Sequence, residues 1–211
     1  MDTTSLIHAD ADDARVGVDA RALPRTAWGH ATPIWWGMWS VMVIEGTVLL
    51  LLATVYLSLR RLAPLWPPAG IRPPALGAAT ANAMVLVASL IPTFGLHRAA
   101  RRRNRRAVGW YLAVATMLTL VSIALRGVEF AHANVWWDAN AYGSIVWTIL
   151  GAHASHLIAA ALEDLLLCAL VFFGAMEPKH FVSITVSAIY SYFVVAAWLP
   201  LYLLVYWLPR P

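Results

Sequence analysis

The chain has 211 residues, of which 61% are hydrophobic and only 12% charged. Soluble domains carry about a quarter charged residues, so this composition excludes an ordinary soluble enzyme and points to a polytopic membrane protein. The formal net charge of +4 is then a question of which loops hold the basic residues, not a sign of nucleic-acid binding.

Residues 1–33 hold five acids and no apolar core of a secretory leader. They read as a polar tail, solvated or lying on a surface, before a single membrane domain over 34–211. The first predicted span is Trp35–Leu59, WWGMWSVMVIEGTVLLLLATVYLSL, with Glu45 near its middle. A carboxyl at bilayer depth is costly and marks a candidate functional group. On a helical wheel Gly37, Ser40, Thr47, Thr54 and Ser58 form one stripe of small residues, which predicts packing within the chain. Glu45 falls on the opposite face with Met38, Val41, Val48, Leu49, Leu52 and Tyr56. That face is expected to point away from the chain's own bundle. The carboxyl is then neutral, or it meets a partner subunit or a wet crevice.

The second span is about Ala75–Leu96, with Pro92 near its end, and the third about Val108–Val128. The fourth stays helix-compatible from Tyr142 to Gly174, longer than a bilayer needs, so it should tilt or project. The fifth is about Phe181–Leu208. No segment alternates with period two over ten-residue units, which rules out a β-barrel pattern. The expected fold is an all-α bundle of five transmembrane helices.

The loops orient the bundle. HRAARRRNRRA, between spans two and three, carries Arg98, Arg101, Arg102, Arg103, Arg105 and Arg106. With that loop in the cytoplasm, the same side also holds Arg15, Arg21, Arg25 and Lys179. The opposite side holds only Arg60, Arg61, Arg72, Arg126 and Arg210. The excess predicts a cytoplasmic N-terminus and an outer C-terminus. The proline-rich loop RRLAPLWPPAGIRPPAL is expected to be semi-rigid. Several of the eleven tryptophans sit near span ends and read as interfacial anchors. The one cysteine, Cys168, leaves no internal disulfide and reads as a buried inert thiol.

The remaining polar groups crowd spans three and four. Arg126, Glu129, His132 and Asp138 are expected near the outer surface, and Arg126 and Glu129, spaced i,i+3, can pair on one helix. His153, His156, Glu163 and Asp164 share an arc of about 100° on span four and are expected to face the interior. An HxxH pair can ligate a metal or haem. Here no second HxxH or ExxH lies in another span, and His97, His132 and His180 sit at span ends or in loops. Interhelical hydrogen bonding among Arg126, Glu129, His153, His156, Glu163 and Asp164 is the favoured reading, with no metal or cofactor in this chain.

Several motifs then fall in order. Gly37, Met38 and Glu45 open span one, and WPPAGIRP (Trp66 to Pro73) follows in the loop. NAMVLVAS (Asn82 to Ser89) precedes His97. Glu129, YGS (Tyr142 to Ser144) and GxHxxH (Gly151, His153, His156) complete the set. This order and spacing, covering about Trp36 to Trp207, resembles subunit III of the haem–copper oxidases, the cytochrome c and quinol oxidase family. The resemblance implies a five-helix form lacking the first two of the usual seven helices. It places Glu45 on the family's carbodiimide-reactive glutamate. It implies a non-catalytic subunit of a proton-pumping terminal oxidase in a bacterial inner membrane, stabilising subunit I and supporting proton uptake in aerobic electron transport. Its partners would be subunit I, subunit II and phospholipids, and haems and copper would belong to those partner subunits. An accessory subunit of nitric oxide reductase is the alternative within the superfamily; a haem-b membrane anchor or small transporter is the alternative outside it. One stretch departs from the family: where its last helix usually reads WYWHFVDVVW, this chain reads IYSYFVVAAW, with Tyr192 for the His and Val195 for the Asp. The polar network around that helix must therefore be rebuilt, and the acids Glu163 and Asp164 are additional to the pattern.

Overall fold

The computed structural model describes residues 33–174 and 176–210. The tail expected over 1–33 lies outside the described residues, Pro33 excepted. Within them are five long helices and no strand: α1 (Pro33–Leu62), α2 (Leu76–Arg101), α3 (Arg105–Ala131), α4 (Ala141–Phe173) and α5 (Pro178–Tyr202), the last continued by a π-helical turn, Leu203–Trp207. Every one is long and apolar enough to cross a bilayer. The five predicted spans thus stand; α1, α2 and α3 run several residues further than predicted, and α4 matches to within one residue at each end. Pro92 lies buried inside α2, which continues unbroken to Arg101.

The helix ends follow from local chemistry. Asn104 caps α3 through Ala107 N at 3.2 Å, and Asn140 caps α4 through Gly143 N at 2.9 Å. The open carbonyls at the end of α4 are taken by Arg105, whose guanidinium donates to Val171 O at 2.6 and 3.0 Å and to Gly174 O at 3.0 Å. Glu177 and His180 form a capping box at the start of α5. Lys179, 2.8 Å from Glu177, holds that carboxyl below its ordinary value.

α2 packs chiefly on α3 and α5, and α3 also on α4. α1 stands to one side, touching α4 and α5. The proline-rich connection between α1 and α2 is pinned by aromatic contacts. Trp66 meets Tyr56 and Tyr142 edge-on, at centroid distances of 5.3 and 4.9 Å. Arg210 from the far end of the chain donates to Pro74 O. The glycine of the YGS motif is required here, because a Cβ on Gly143 would lie 2.2 Å from Trp136 O. The glycine of WPPAGIRP, Gly70, has φ +83, a conformation that side chains resist.

One expectation is reversed. The inner face of α1 is Met42, Leu49 and Tyr56, with Glu45 on the same side; the small-residue stripe faces outward. Ser40, Thr47, Thr54 and Ser58 are exposed, and each hydroxyl donates to a carbonyl four residues back in its own helix. Their polarity is met locally, so they need no neighbour and can face lipid. The gap between α1, α4 and α5 needs bulk, which Leu49 and Tyr56 provide, and only the interior offers Glu45 polar partners. Leu49→Ala is therefore expected to lower stability by about 1–3 kcal/mol, the packing part of a large-to-small loss. Thr54→Val should change it by less than about 0.5 kcal/mol. Thermal midpoints in one detergent decide the point; a larger loss for Thr54→Val would restore the opposite facing.

Candidate functional site

Two polar constellations occupy the bundle. The first is centred on Glu129 of α3, 2% exposed. Its Oε2 accepts from Arg126 Nη1 at 2.6 Å and from the Tyr206 hydroxyl at 2.5 Å; its Oε1 accepts from Asn82 Nδ2 at 2.6 Å. Arg126, equally buried, donates through Nη2 to His153 Nδ1 at 2.9 Å and lays its guanidinium 3.8 Å from the Trp198 ring centroid. His153 stacks on the same indole at 4.5 Å.

The donor chemistry assigns the histidine. A guanidinium has no acceptor, so His153 Nδ1 must be the unprotonated nitrogen. The proton then sits on Nε2, which donates to Val194 O at 3.2 Å. His153 is neutral in this arrangement, and both its nitrogens are occupied. The one positive and one negative group, Arg126 and Glu129, cancel within 2.6 Å, the condition for carrying charge inside a bilayer. The network links α2, α3, α4 and α5 through single side chains. It also answers the departure in the last helix: Val195 is buried and apolar, and α5 contributes instead the Val194 carbonyl, the Trp198 face and the Tyr206 hydroxyl. The π-helical turn carries Tyr206, while Tyr202, just before it, reaches Thr80 of α2 at 2.8 Å.

The second constellation lies where α1 meets α4 and α5. Glu45 Oε2 is 3.6 Å from His156 Nε2, with side chains 25% and 11% exposed. That distance exceeds a hydrogen bond and leaves a loose acid–imidazole contact. Tyr190 of α5 lies beside Glu45. His156 Nδ1 is buried without a partner among the described residues. The group is thus an acid, an imidazole and a phenol at mid-membrane, each able to hold or pass a proton. Apolar clefts flank it along the α1–α5 seam. One of about 300 Å³ is bounded by Gly46, Leu49, Ala53 and Pro200. Another of about 400 Å³ is bounded by Trp39, Val43, Tyr192 and Phe193.

The predicted network of six residues is therefore split. Arg126, Glu129 and His153 come together; Arg126 and Glu129 are buried in the last turns of α3, and His132 and Asp138 are exposed. His156 turns to Glu45. Asp164 is 2% exposed and accepts from Ser187 Oγ at 2.7 Å, remote from the arginine. Glu163 is half-buried. These residues share one stripe of α4 but differ in depth: eleven residues separate His153 from Asp164, about 16 Å of rise. A shared face does not make a shared cluster. Asn82, Tyr190, Trp198 and Tyr206 were not among the predicted site residues. Asn82 had a signal, as a lone amide within an apolar span. The other three are aromatic residues of a kind common throughout such spans.

A family model described as Cytochrome c oxidase subunit III matches residues 36–210. The chain is 25% identical over 186 residues to cytochrome c oxidase subunit 3 of Synechocystis sp., covering 84% of this chain and 77% of that protein. It is 32% identical over 152 residues to the Triticum aestivum protein of the same name, covering 68% of this chain and 54% of the relative. For the Gallus gallus protein the figures are 28% over 144 residues, 67% and 55%. The chain thus spans about half the length of the plant and animal relatives.

Proposed function

The chain belongs to the cytochrome c oxidase subunit III family, and on that premise we propose that it is the non-catalytic integral subunit of a proton-pumping respiratory terminal oxidase. Its task in that complex is to support the haem–copper catalytic subunit and its proton supply. The observation that carries this reading is the Glu45–His156–Tyr190 group: the family's carbodiimide-reactive position is filled by an acid that lies beside an imidazole and a phenol inside the bundle. A protonated Glu45 is the form a carbodiimide attacks, and His156 Nε2 stands near enough to exchange a proton with it through a small displacement or one water.

Subunit I is the proposed principal partner, with subunit II beside it. Haems and copper reside in those chains. In support, His153, the more buried member of the HxxH pair, has both nitrogens occupied by Arg126 and Val194 and offers no lone pair to a metal. The apolar clefts along α1 and α5 suit phospholipid acyl chains. The proposed location is a bacterial inner membrane, with the Arg98–Arg106 loop and the N-terminus in the cytoplasm. The test is affinity isolation of the tagged chain from its own membranes in mild detergent. A stoichiometric large subunit bearing haem and copper is expected, with the haem signal lost when the chain is isolated alone. Haem retained by the isolated chain and abolished in His153→Ala would favour a haem-b anchor. A nitric oxide reductase as the large partner would favour the alternative within the superfamily.

A further inference from the structure

We propose that the turn between α2 and α3 is a docking platform for the phosphate headgroups of anionic lipids. Arg98, Arg101, Arg102, Arg103, Arg105 and Arg106 fall within nine residues, and all are exposed. Arg105 is committed to the end of α4 through Val171 O and Gly174 O. That contact fixes the turn against the neighbouring helix, with Arg98, Arg101, Arg102 and Arg106 exposed around it. The turn is also held from within. Ala99 and Ala100 are buried, Arg102 N and Arg103 N bond back to Arg98 O and Ala100 O, and Asn104 starts α3. The platform is preorganised, so docking costs little backbone ordering.

Acidic residues are absent from α2 and from α3 before Glu129. No Asp or Glu occurs between Glu45 and Glu129. The acid nearest in sequence to the α4 end that Arg105 grips, Glu177, is already paired with Lys179 at 2.8 Å. Among the described residues Arg98, Arg101, Arg102 and Arg106 make no ion pair with a carboxylate. Orientation alone needs only a bias of basic residues, whereas this is a dense, one-signed patch at the ends of two spans. One turn further on, exposed Trp110 and Tyr111 mark the headgroup level of α3. Guanidinium groups at that depth match phosphate in charge and in fork geometry. The occupant that this position and chemistry favour is an anionic phospholipid such as phosphatidylglycerol. The inference does not depend on the oxidase reading.

The test uses the full chain in phosphatidylcholine bilayers and spin-labelled lipids as probes. Phosphatidylglycerol should associate about threefold or more better than phosphatidylcholine, and salt should weaken the preference. The combined Arg98→Gln, Arg101→Gln, Arg102→Gln and Arg106→Gln variant should lose that selectivity, while the corresponding Lys variant keeps most of it. If the fourfold Gln variant does not fold, the pairs Arg98/Arg102 and Arg101/Arg106 are read separately, each losing part of the selectivity. Inorganic phosphate should displace the lipid no better than chloride of equal ionic strength. Specific displacement by phosphate would instead assign a soluble-phosphate site and overturn the membrane source. Unchanged selectivity in the Gln variants would overturn the proposal. So would the absence of selectivity in the wild type together with protection of these arginines from phenylglyoxal only in an assembled complex, which would assign an acidic protein segment.

Discussion

Replacing Arg126 with methionine is expected to destabilise the bundle by about 3–5 kcal/mol, the cost of leaving a buried charge without its partner. The loss does not come from the hydrogen bonds as such, which average well under 1 kcal/mol each within membranes. It comes from what stays behind. Glu129 keeps Asn82 and Tyr206 as donors but has no cation. His153 Nδ1 loses its donor, and Trp198 loses the guanidinium on its face. Glu129→Leu alone should be similarly damaging, since Arg126 would then be the orphan. The double variant Arg126→Met/Glu129→Leu removes both charges and should recover much of the stability. Reversible unfolding of the four proteins in bicelles measures this as a double-mutant cycle. The expected coupling is several kcal/mol in the direction that makes the double variant milder than the sum. Additive losses would show that the two side chains act separately and that the network is not the clamp described above.

The architecture was largely legible in the sequence because a bilayer imposes one rule on every span. About twenty apolar residues must run without interruption and satisfy their own backbone, and five stretches do so. The Arg126–Glu129 pair was legible for a similar reason, since i,i+3 neighbours on a helix meet whatever surrounds them. The facing of α1 was not. In water, polarity tells the outside of a helix from the inside, but between lipid and protein both faces are apolar. The threonines and serines that looked like a packing seam close their hydroxyls on their own helix, while Leu49 and Tyr56 fill the interior. The partners of Glu129 were hidden for a different reason. Asn82 and Tyr206 lie 47 and 77 residues away in the chain, and no local spacing connects them. Their convergence depends on how α2 and the end of α5 rotate against α3. Likewise the stripe on α4 showed which residues face inward but not which helix each would meet, so His156 was grouped with His153 when its contact is Glu45 on α1.

Glu45→Gln is expected to leave assembly intact and to shorten the working life of the oxidase several-fold. Glutamine has nearly the same shape and stays polar beside His156 and Tyr190, so the α1–α4–α5 junction should hold. It cannot take up and release a proton. If Glu45 and His156 help deliver protons to the catalytic subunit, their loss should tell most where protons are scarce, at alkaline pH and over many turnovers. Initial O2 consumption should change little, because the chemistry belongs to the partner. Glu45→Leu should behave alike if proton exchange matters and packing does not. The deciding measurement is the first-order rate at which the oxidase inactivates during sustained turnover, at neutral and at alkaline pH. It is taken for complexes carrying the wild-type chain, the Glu45→Gln chain, or no copy of the chain. The proposed role predicts that the Gln complex inactivates nearly as fast as the complex without the chain, and that the gap from wild type widens as pH rises. A Gln complex as durable as wild type beside a short-lived chain-free complex would reduce Glu45 to a structural residue. Equal durability of all three would contradict the supporting role itself.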